Sequence, residues 1–410
     1  MAPLARPLAR SAAWRAALAG AAVLLVSAVP TAGGDWPAWR GPDRTGVSTE
    51  TGWRADWSDG PPPVLWKAQV GKGFSTVSVV DGRVYTMGNE GGVDSVWCLS
   101  AEDGRPIWRH RYPCRPHQYE GPRATPTVDG DRVYTLSNRG HLFCLDARTG
   151  RVRWMLEVPK RLGVRPPQWG FACSPLVLGD QLIIDVGPLV GLEKTTGKVL
   201  WKAGSDAPAY GSPMPLVWRG KTLVASFNAH GPIVAEVGTG RVLGRVRWKT
   251  AYDVNATTPI VRGDTFFISS GYNAGAAVFQ ITDGGLREVW RNRNMRNHAN
   301  NCVLLDGYLY GFDGQVNAGR LTCIAYETGE KRWSEPTLKA GGLMAADGKL
   351  ILVTAGGECV IVEASPERCR ILGRVKVLDD TCWTHPVLAN GRIWCRNHEG
   401  DLVCLDVRAR

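Results

Sequence analysis

The sequence lacks the signatures of the common catalytic sites. It contains no H-E-x-x-H zinc motif, no P-loop, no G-x-S-x-G nucleophile elbow and no D-x-D-x-D-G calcium loop. It also lacks a C-x-x-C-H haem-attachment motif. No motif therefore supports a metalloprotease, a P-loop nucleotide hydrolase, a serine hydrolase or a c-type cytochrome.

Long hydrophobic runs are also missing beyond the N-terminus. Arg6, Arg10 and Arg15 precede an apolar run over residues 16–29, which is followed by small residues. This pattern predicts a secretory signal peptide over residues 1–32. No later run reaches the roughly 18 apolar residues of a transmembrane helix, and no cysteine near the end of the signal offers a site for a lipid anchor. We expect an exported protein of the periplasm or the extracellular space, with no transmembrane segment in the mature chain.

Glycine, proline and tryptophan are abundant, at 49, 26 and 17 of the 410 residues. This mixture is typical of many short strands joined by tight turns, so it predicts mostly β structure. The formal net charge is +11, but Lys and Arg are scattered among Asp and Glu, which does not favour a nucleic-acid partner. Eleven cysteines permit disulfides in an exported monomer, with Cys382 and Cys395 as one conceivable pair.

Two short markers recur along the chain. The first is a turn followed by a strand containing tryptophan, such as "TGRVRW" at residues 149–154. The second is a turn ahead of an apolar strand, such as "DGRVYT" at residues 81–86, and it occurs eight times. Its glycines stand at 82, 130, 179, 220, 263, 307, 348 and 391, so the unit repeats every 41 to 49 residues. A unit of this length holds four short strands and is typical of a propeller blade.

The two chain ends indicate a closed ring. The last repeat stops before its outermost strand, and "PPVLWKAQV" at residues 62–70 resembles the missing strand. The sequence therefore predicts an all-β, eight-bladed β-propeller of four-stranded blades, closed by N- and C-terminal strands in the same blade. We assign residues 33–63 to an N-terminal extension and residues 64–410 to the propeller. The predicted blade-docking tryptophans are Trp66, Trp108, Trp154, Trp201, Trp248, Trp290 and Trp333.

Three segments carry a family resemblance. The repeats "CLDARTGRVRW", "CLSAEDGRPIW" and "IAYETGEKRW" resemble those of the pyrroloquinoline quinone (PQQ) repeat family, over roughly residues 64–410. The segment "DWPAWRGPDRTGVS" at residues 35–48 is similar to the start of exported bacterial PQQ-like propeller proteins. The resemblance implies an eight-bladed propeller, in agreement with the count of repeats. It does not decide activity, because the repeat serves blade packing in enzymes and non-enzymes alike.

The loops that enter the innermost strands should surround one mouth of the central channel, which is the default ligand site of a propeller. Aromatic rings and hydrogen-bond donors in these loops suit a polar or anionic ligand. The candidate ligand-binding residues are Lys72, Arg123, Gln168, Trp169, Tyr210, Asn255, His298, Asn300, Trp383 and His385. The alternative interpretation is that these residues only cap the loop ends and satisfy their backbone groups.

Two functions follow from the resemblance. One is a PQQ- and calcium-dependent alcohol or sugar dehydrogenase, in which Glu120, Asp253 or Asp380 would supply a carboxylate and Asn255 a further oxygen ligand. Such enzymes characteristically hold a disulfide of adjacent cysteines over the quinone, and this sequence contains no adjacent cysteine pair.

The other function is that of the branch that includes the outer-membrane assembly factor BamB, which binds partner proteins without a quinone. We favour this second function, a non-catalytic interaction scaffold in the cell envelope. It requires no cofactor, no bound metal and no catalytic residue, and its partners would be envelope proteins.

Overall fold

The structure is a computed structural model that describes residues 34–116 and 118–409. The predicted signal peptide lies outside the described residues. Within them the chain forms eight sheets of antiparallel blade strands, and the first strands of five neighbouring pairs of sheets contact each other around a common axis. The predicted eight-bladed, all-β propeller is confirmed. The four strands of each blade are named a to d, from the innermost to the outermost.

The blades follow the order of the repeats. Strands a to d are Ser78–Val80, Arg83–Glu90, Val93–Ser100 and Pro106–Pro113 in blade 1, Thr127–Asp129, Arg132–Leu136, His141–Asp146 and Val152–Glu157 in blade 2, Leu176–Leu178, Gln181–Asp185, Leu189–Glu193 and Val199–Ala203 in blade 3, and Met214–Trp218, Lys221–Phe227, Pro232–Glu236 and Val242–Arg245 in blade 4. They are Ile260–Arg262, Thr265–Ser270, Gly275–Thr282 and Gly285–Asn292 in blade 5, Val303–Leu305, Tyr308–Asp313, Arg320–Ala325 and Lys331–Lys339 in blade 6, and Gly342–Ala346, Lys349–Val353, Glu358–Glu363 and Arg370–Lys376 in blade 7. In blade 8 they are Val387–Ala389, Arg392–Arg396, Asp401–Asp406 and Val64–Gln69.

Little other regular structure is present in the described ranges. An α-helix covers Val158–Leu162, a 3-10 helix covers Ala251–Asp253, and a two-residue strand, Val47–Ser48, pairs in parallel with strand a of blade 7. No helix in this part of the chain has the length and apolar character needed to cross a membrane.

The repeated turn that begins each blade depends on its backbone conformation. Asp81 and Gly82 link strands a and b of blade 1 with φ values of 49° and 68°. Glycine accepts this left-handed region without strain, and aspartate tolerates it better than most residues do. The chain therefore reverses in two residues, and the first two strands pair directly.

The ring is closed in the predicted way. Strand d of blade 8, Val64–Gln69, comes from the N-terminal side and pairs antiparallel with strand c, Asp401–Asp406, from the C-terminus. Trp66 lies opposite Cys404 in this ladder. Because each end of the chain completes the other's sheet, blade 8 has no unpaired gap between its strands.

In five blades, a tryptophan of strand d donates to a backbone carbonyl of the next blade. The indole N–H of Trp108 donates to the carbonyl oxygen of Ala147, at 2.9 Å, in the c–d turn of blade 2. A Cβ at Gly150 in the same turn would lie 2.5 Å from the indole, so only glycine lets the ring pack so closely. The same hydrogen bond joins Trp66 to Ala101, Trp154 to Lys194, Trp290 to Tyr326 and Trp333 to Ser365.

The remaining blade contacts differ from this pattern. Trp201 donates to the side chain of Gln181 in its own blade, and Trp248 lies beyond strand d and donates to Ser270 of blade 5. Strand d of blade 7 contains no tryptophan, and Trp57 of the N-terminal extension packs on Gly373 of that strand instead.

Part of the N-terminal extension runs along the channel. Trp36 forms a backbone bridge with Val79 of blade 1, and the carbonyl of Pro37 accepts from the N–H of blade 2's Val128. Further along, Glu50 accepts from the backbone N–H groups of the a–b turn of blade 8. Between these contacts the stretch reaches the entry of blade 3 through Arg44 and pairs with strand a of blade 7 through Val47–Ser48, so it crosses the ring axis between opposite blades. We call residues 36–50 the axial segment.

The cysteines lie mainly in the core. Five of them, Cys98, Cys144, Cys323, Cys359 and Cys404, stand in strand c of their blades, and each is fully buried. All eleven are free thiols across the described ranges, and Cys382 and Cys395 are not joined. These residues serve as small apolar side chains between blades.

Candidate functional site

A cavity of about 240 Å³ lies at the mouth of the ring, where the loops enter the innermost strands. We call it the mouth pocket. Its lining includes six of the ten residues selected from the sequence, namely Arg123, Trp169, Tyr210, His298, Trp383 and His385. These six come from loops that precede strand a in five of the eight blades. The closed ring therefore brings together residues that are far apart in the chain.

The other four selected residues do not line this pocket. Lys72 forms ion pairs with Glu120 at 3.7 Å and Glu399 at 3.3 Å, so its charge is directed to the rim. Gln168 is exposed on the surface of its loop.

Asn255 and Asn300 are buried among the loops. Asn255 donates to the carbonyl of Asn228 and accepts from the Thr250 hydroxyl, and the side-chain oxygen of Asn300 accepts from Asn297. At these two positions the amide groups hold the loop ends, as the alternative interpretation of the sequence expects.

Aromatic rings form two arcs around the pocket. In one arc, Phe74 stacks on Trp383 with ring centroids 5.5 Å apart and an interplanar angle of 14°, and Tyr119 lies 6.0 Å from Trp383. In the other arc, the ring centroids of Trp169 and Tyr210 lie 5.8 Å apart. Rings at these separations attract one another, so the aromatic lining is held together by its own contacts.

Sequence reasoning missed several of these rings. Phe74 and Tyr119 lie in loops that it identified, but only the cationic members, Lys72 and Arg123, were selected there. Tyr272 lies on the b–c hairpin of blade 5, which carries no repeat marker. It packs edge-on against His298 at 4.9 Å.

The floor of the pocket is formed by Trp39 of the axial segment and by His385. Their rings meet edge-to-face at 4.8 Å, and the Trp39 indole N–H donates to the Thr258 hydroxyl at 2.9 Å. Burial lowers the pKa of His385 to about 3 and that of His298 to about 4, with the nearby Arg40 charge adding to the effect at His385. Both imidazoles are therefore neutral at neutral pH.

Arg123 is the cationic group in the pocket wall. Its guanidinium donates to the carbonyl oxygens of Gly121, Gln118 and Tyr119 at 2.7 to 3.1 Å, and lies 5.7 Å from the ring centroid of Phe74. No carboxylate pairs with it among residues 34–116 and 118–409. Burial lowers its pKa to about 10, so the group stays protonated at neutral pH.

Two further guanidinium groups lie beneath the floor. Arg40 donates to the Cys302 carbonyl at 2.8 Å, and Arg44 donates to the carbonyls of Ser174 and Pro175 at 3.0 Å each. Both side chains are almost fully buried, and burial lowers the pKa of each to about 10. Neither forms an ion pair within the described chain. Carbonyl dipoles therefore hold two positive charges on the axis of the ring.

The oxygen donors present do not fit a calcium-assisted quinone. Glu120 is paired with Lys72, and Asp253 and Asp380 are exposed outside the mouth pocket. In the described chain, no group of three or more His, Cys, Asp or Glu side chains is placed to hold a metal ion. Calcium prefers six to eight oxygen ligands, several of them carboxylates, and the described pocket lining contains no Asp or Glu.

Comparison with known proteins places the chain in a family. The model described as "Outer membrane protein assembly factor BamB" matches residues 115–335, more than half of the sequence. The chain belongs to the BamB-like family of PQQ-repeat propellers. BamB from Yersinia pestis is 23% identical over 248 residues, which span 56% of this chain and 58% of that relative.

Solved structures agree in fold. BamB from Moraxella catarrhalis has a TM-score of 0.62 at 18% identity, over 84% of this chain and all of that one. A europium-containing methanol dehydrogenase has a TM-score of 0.66 at 12% identity, over 91% of this chain and 89% of that one. The BamB-like propeller is thus shared with quinoprotein enzymes, and at these identities the likeness shows the fold alone.

Proposed function

We propose that this BamB-like protein is a non-catalytic binding scaffold of the cell envelope, and that the mouth of its ring is the surface that engages a partner protein. The family assignment supports a binding role, because the matching family model and the relative from Yersinia pestis are both described as outer membrane protein assembly factor BamB. Export rests on the predicted signal peptide over residues 1–32.

The single observation that carries the proposal is the form of the mouth pocket. Its walls are aromatic arcs, and Trp39 of the axial segment packs against His385 at its floor. A group that enters from outside therefore meets an aromatic lining with the axial segment behind it. Aromatic and arginine side chains are also the residues most enriched at the centres of protein interfaces.

The chemistry of the lining supports binding rather than turnover. A general base is most often an imidazole or a carboxylate whose pKa lies near the working pH. Burial holds the pKa values of His298 and His385 far below neutrality, and the described lining contributes no Asp or Glu side chain. We accordingly propose that the pocket works without PQQ and without calcium.

Site-specific photo-crosslinking in the native envelope tests this proposal. A photoreactive phenylalanine analogue is placed at Tyr119, which is 49% exposed at the mouth, and in a matched variant at Val217, which is 68% exposed near the a–b turn on the opposite face. We expect a discrete cross-linked envelope protein from position 119 and none from position 217. The same product from both positions, or a product only from position 217, would move the binding surface away from the mouth.

A further inference from the structure

The size of the mouth pocket limits what can enter it. Sites for drug-sized ligands occupy roughly 300–1,000 Å³, whereas this cavity measures about 240 Å³. A volume below that range suits one large side chain better than a whole cofactor. The aromatic arcs favour a flat ring, because rings attract one another at centroid separations of about 4.5–7 Å.

The cationic groups that line the pocket or lie beneath its floor are three arginines. Arg123 stands in the wall, and Arg40 and Arg44 lie directly beneath the floor. Within the described chain none of the three has a carboxylate partner. A cleft with low-dielectric walls and unbalanced charge focuses its field on whatever enters, so this pocket attracts anionic groups.

Two polar atoms of the pocket lining, the Trp169 indole N–H and Nε2 of His385, make no hydrogen bond within the described chain. The indole N–H of Trp169 is buried and makes no hydrogen bond within the described chain. An indole N–H can only donate, so an incoming group must provide an acceptor to satisfy it. A carboxylate oxygen is a strong acceptor, and it would also be attracted by the guanidinium of Arg123.

Resting on the proposed partner-binding role, we infer that the mouth pocket receives an aromatic side chain flanked by acidic residues, presented by a loop of the partner protein. The ring of that side chain lies between the two aromatic arcs. A neighbouring carboxylate accepts from Trp169 and faces Arg123.

Four short synthetic peptides test this inference with the mature full-length protein. Each is capped at both ends and labelled for fluorescence anisotropy. Three carry a central tryptophan flanked by two Asp, two Asn or two Lys residues, and the fourth replaces the tryptophan of the Asp-flanked peptide with alanine. We expect the Asp-flanked tryptophan peptide to bind at least about tenfold more tightly than the other three, with an affinity that falls as salt is added.

Variants locate the binding. Trp169→Phe keeps an aromatic ring and removes only the N–H. We therefore expect the ratio of the affinities for the Asp-flanked and Asn-flanked peptides to fall severalfold, while the melting temperature stays unchanged. Arg123→Gln should reduce this ratio of affinities further. The matched control is Arg219→Gln, because Arg219 also lies over a tryptophan ring, that of Trp218 at 4.7 Å, but in the a–b turn of blade 4 on the opposite face. This control should bind all four peptides as the parent protein does.

Three results would overturn the inference. They are equal binding of the Asp- and Asn-flanked peptides, tighter binding of the Lys-flanked peptide, and equally tight binding of free 2-naphthoate, which would make the pocket a small-molecule site. Cross-linking from position 119 that persists alongside any of these results would leave the scaffold proposal standing and reject only the identity of the inserted group.

Discussion

The blades and the axial segment are held in the ring by different kinds of contact. The blades repeat one solution, in which a buried tryptophan donates to a carbonyl in the next blade and lies on a turn glycine. The axial segment repeats nothing, and it inserts two arginines into the centre of the ring, where their guanidinium groups donate to backbone carbonyls. The repeated residues fix the shape of the ring, whereas the residues that occur only once give the mouth its floor and its charge.

The largest loss of stability should come from opening the ring. Deleting residues 64–70 removes strand d of blade 8 together with Trp66, and leaves strand c of that blade unpaired on one side. We expect a loss of stability greater than the about 3–5 kcal/mol typical of removing one buried tryptophan side chain. Thermal unfolding followed by circular dichroism measures it, and a deletion variant with the parent melting temperature would contradict closure through blade 8.

Removing a tryptophan contact between blades should cause the next largest loss in the free energy of unfolding. Trp108→Ala removes a buried ring that packs on Gly150 and donates to Ala147, so we expect a loss of about 3–5 kcal/mol in the free energy of unfolding. The matched control is Trp218→Ala, where the ring is only half-buried, with an expected loss of about 1 kcal/mol or less. Denaturant unfolding of both variants gives the comparison. Equal losses would mean that the repeated tryptophan does not join the blades.

An arginine of the axial segment should contribute less to the free energy of unfolding than a tryptophan contact between blades does. Arg44→Ala removes the guanidinium that donates to the Ser174 carbonyl and one of the two donors to the Pro175 carbonyl, which keeps the Thr127 hydroxyl, at an expected loss of about 1–3 kcal/mol. Arg148→Ala, on an exposed c–d turn, is the control and should change the unfolding curve little. An unchanged unfolding curve for Arg44→Ala would show that the axial segment is not anchored in the channel.

The smallest effect concerns the contact between blades 3 and 4. Asp185 is buried and hydrogen-bonded to Ser226 and to the Gly187 N–H, and burial raises its pKa to about 7. The folded protein therefore keeps this proton while the unfolded chain loses it near pH 4. Consequently Asp185 lowers the free energy of unfolding as the pH rises from about 4 to 7.

Asp185→Asn lacks this titration. Relative to the parent, the variant should gain stability between pH 4 and 7, by on the order of 1 kcal/mol or more. Denaturant unfolding at several pH values measures the difference. A difference that stays constant across this range would show that Asp185 is already ionised in the folded state at low pH.

The eight-bladed ring could be predicted because the sequence pattern that defines a blade is repeated. Eight Gly turns at nearly constant spacing and the orphan strand around Trp66 define the number of blades and the closure. The axial segment could not be placed, because residues 36–50 contain no period. Arg40 and Arg44 also look like ordinary surface charges until the backbone carbonyls that hold them are in view.

The mouth was predictable in position but only partly in composition. Loops ahead of strand a were recognised from the repeats, and six of their selected residues meet at one pocket. Whether a polar side chain such as Asn255 faces the cavity or the backbone depends on local loop geometry, which spacing does not encode. Tyr272 reaches the pocket from a different hairpin, and only the closed ring shows that it is near.

The central claim is that the mouth binds a partner and performs no quinone chemistry. Its most direct test is a calorimetric titration of the mature protein with PQQ in calcium-containing buffer, with dye reduction by alcohols and sugars followed on the same sample. We predict no saturable heat and no substrate-dependent dye reduction from protein that is folded by circular dichroism. One-to-one binding together with substrate-dependent dye reduction would contradict the scaffold and direct attention to Glu120, Asp253 and Asp380.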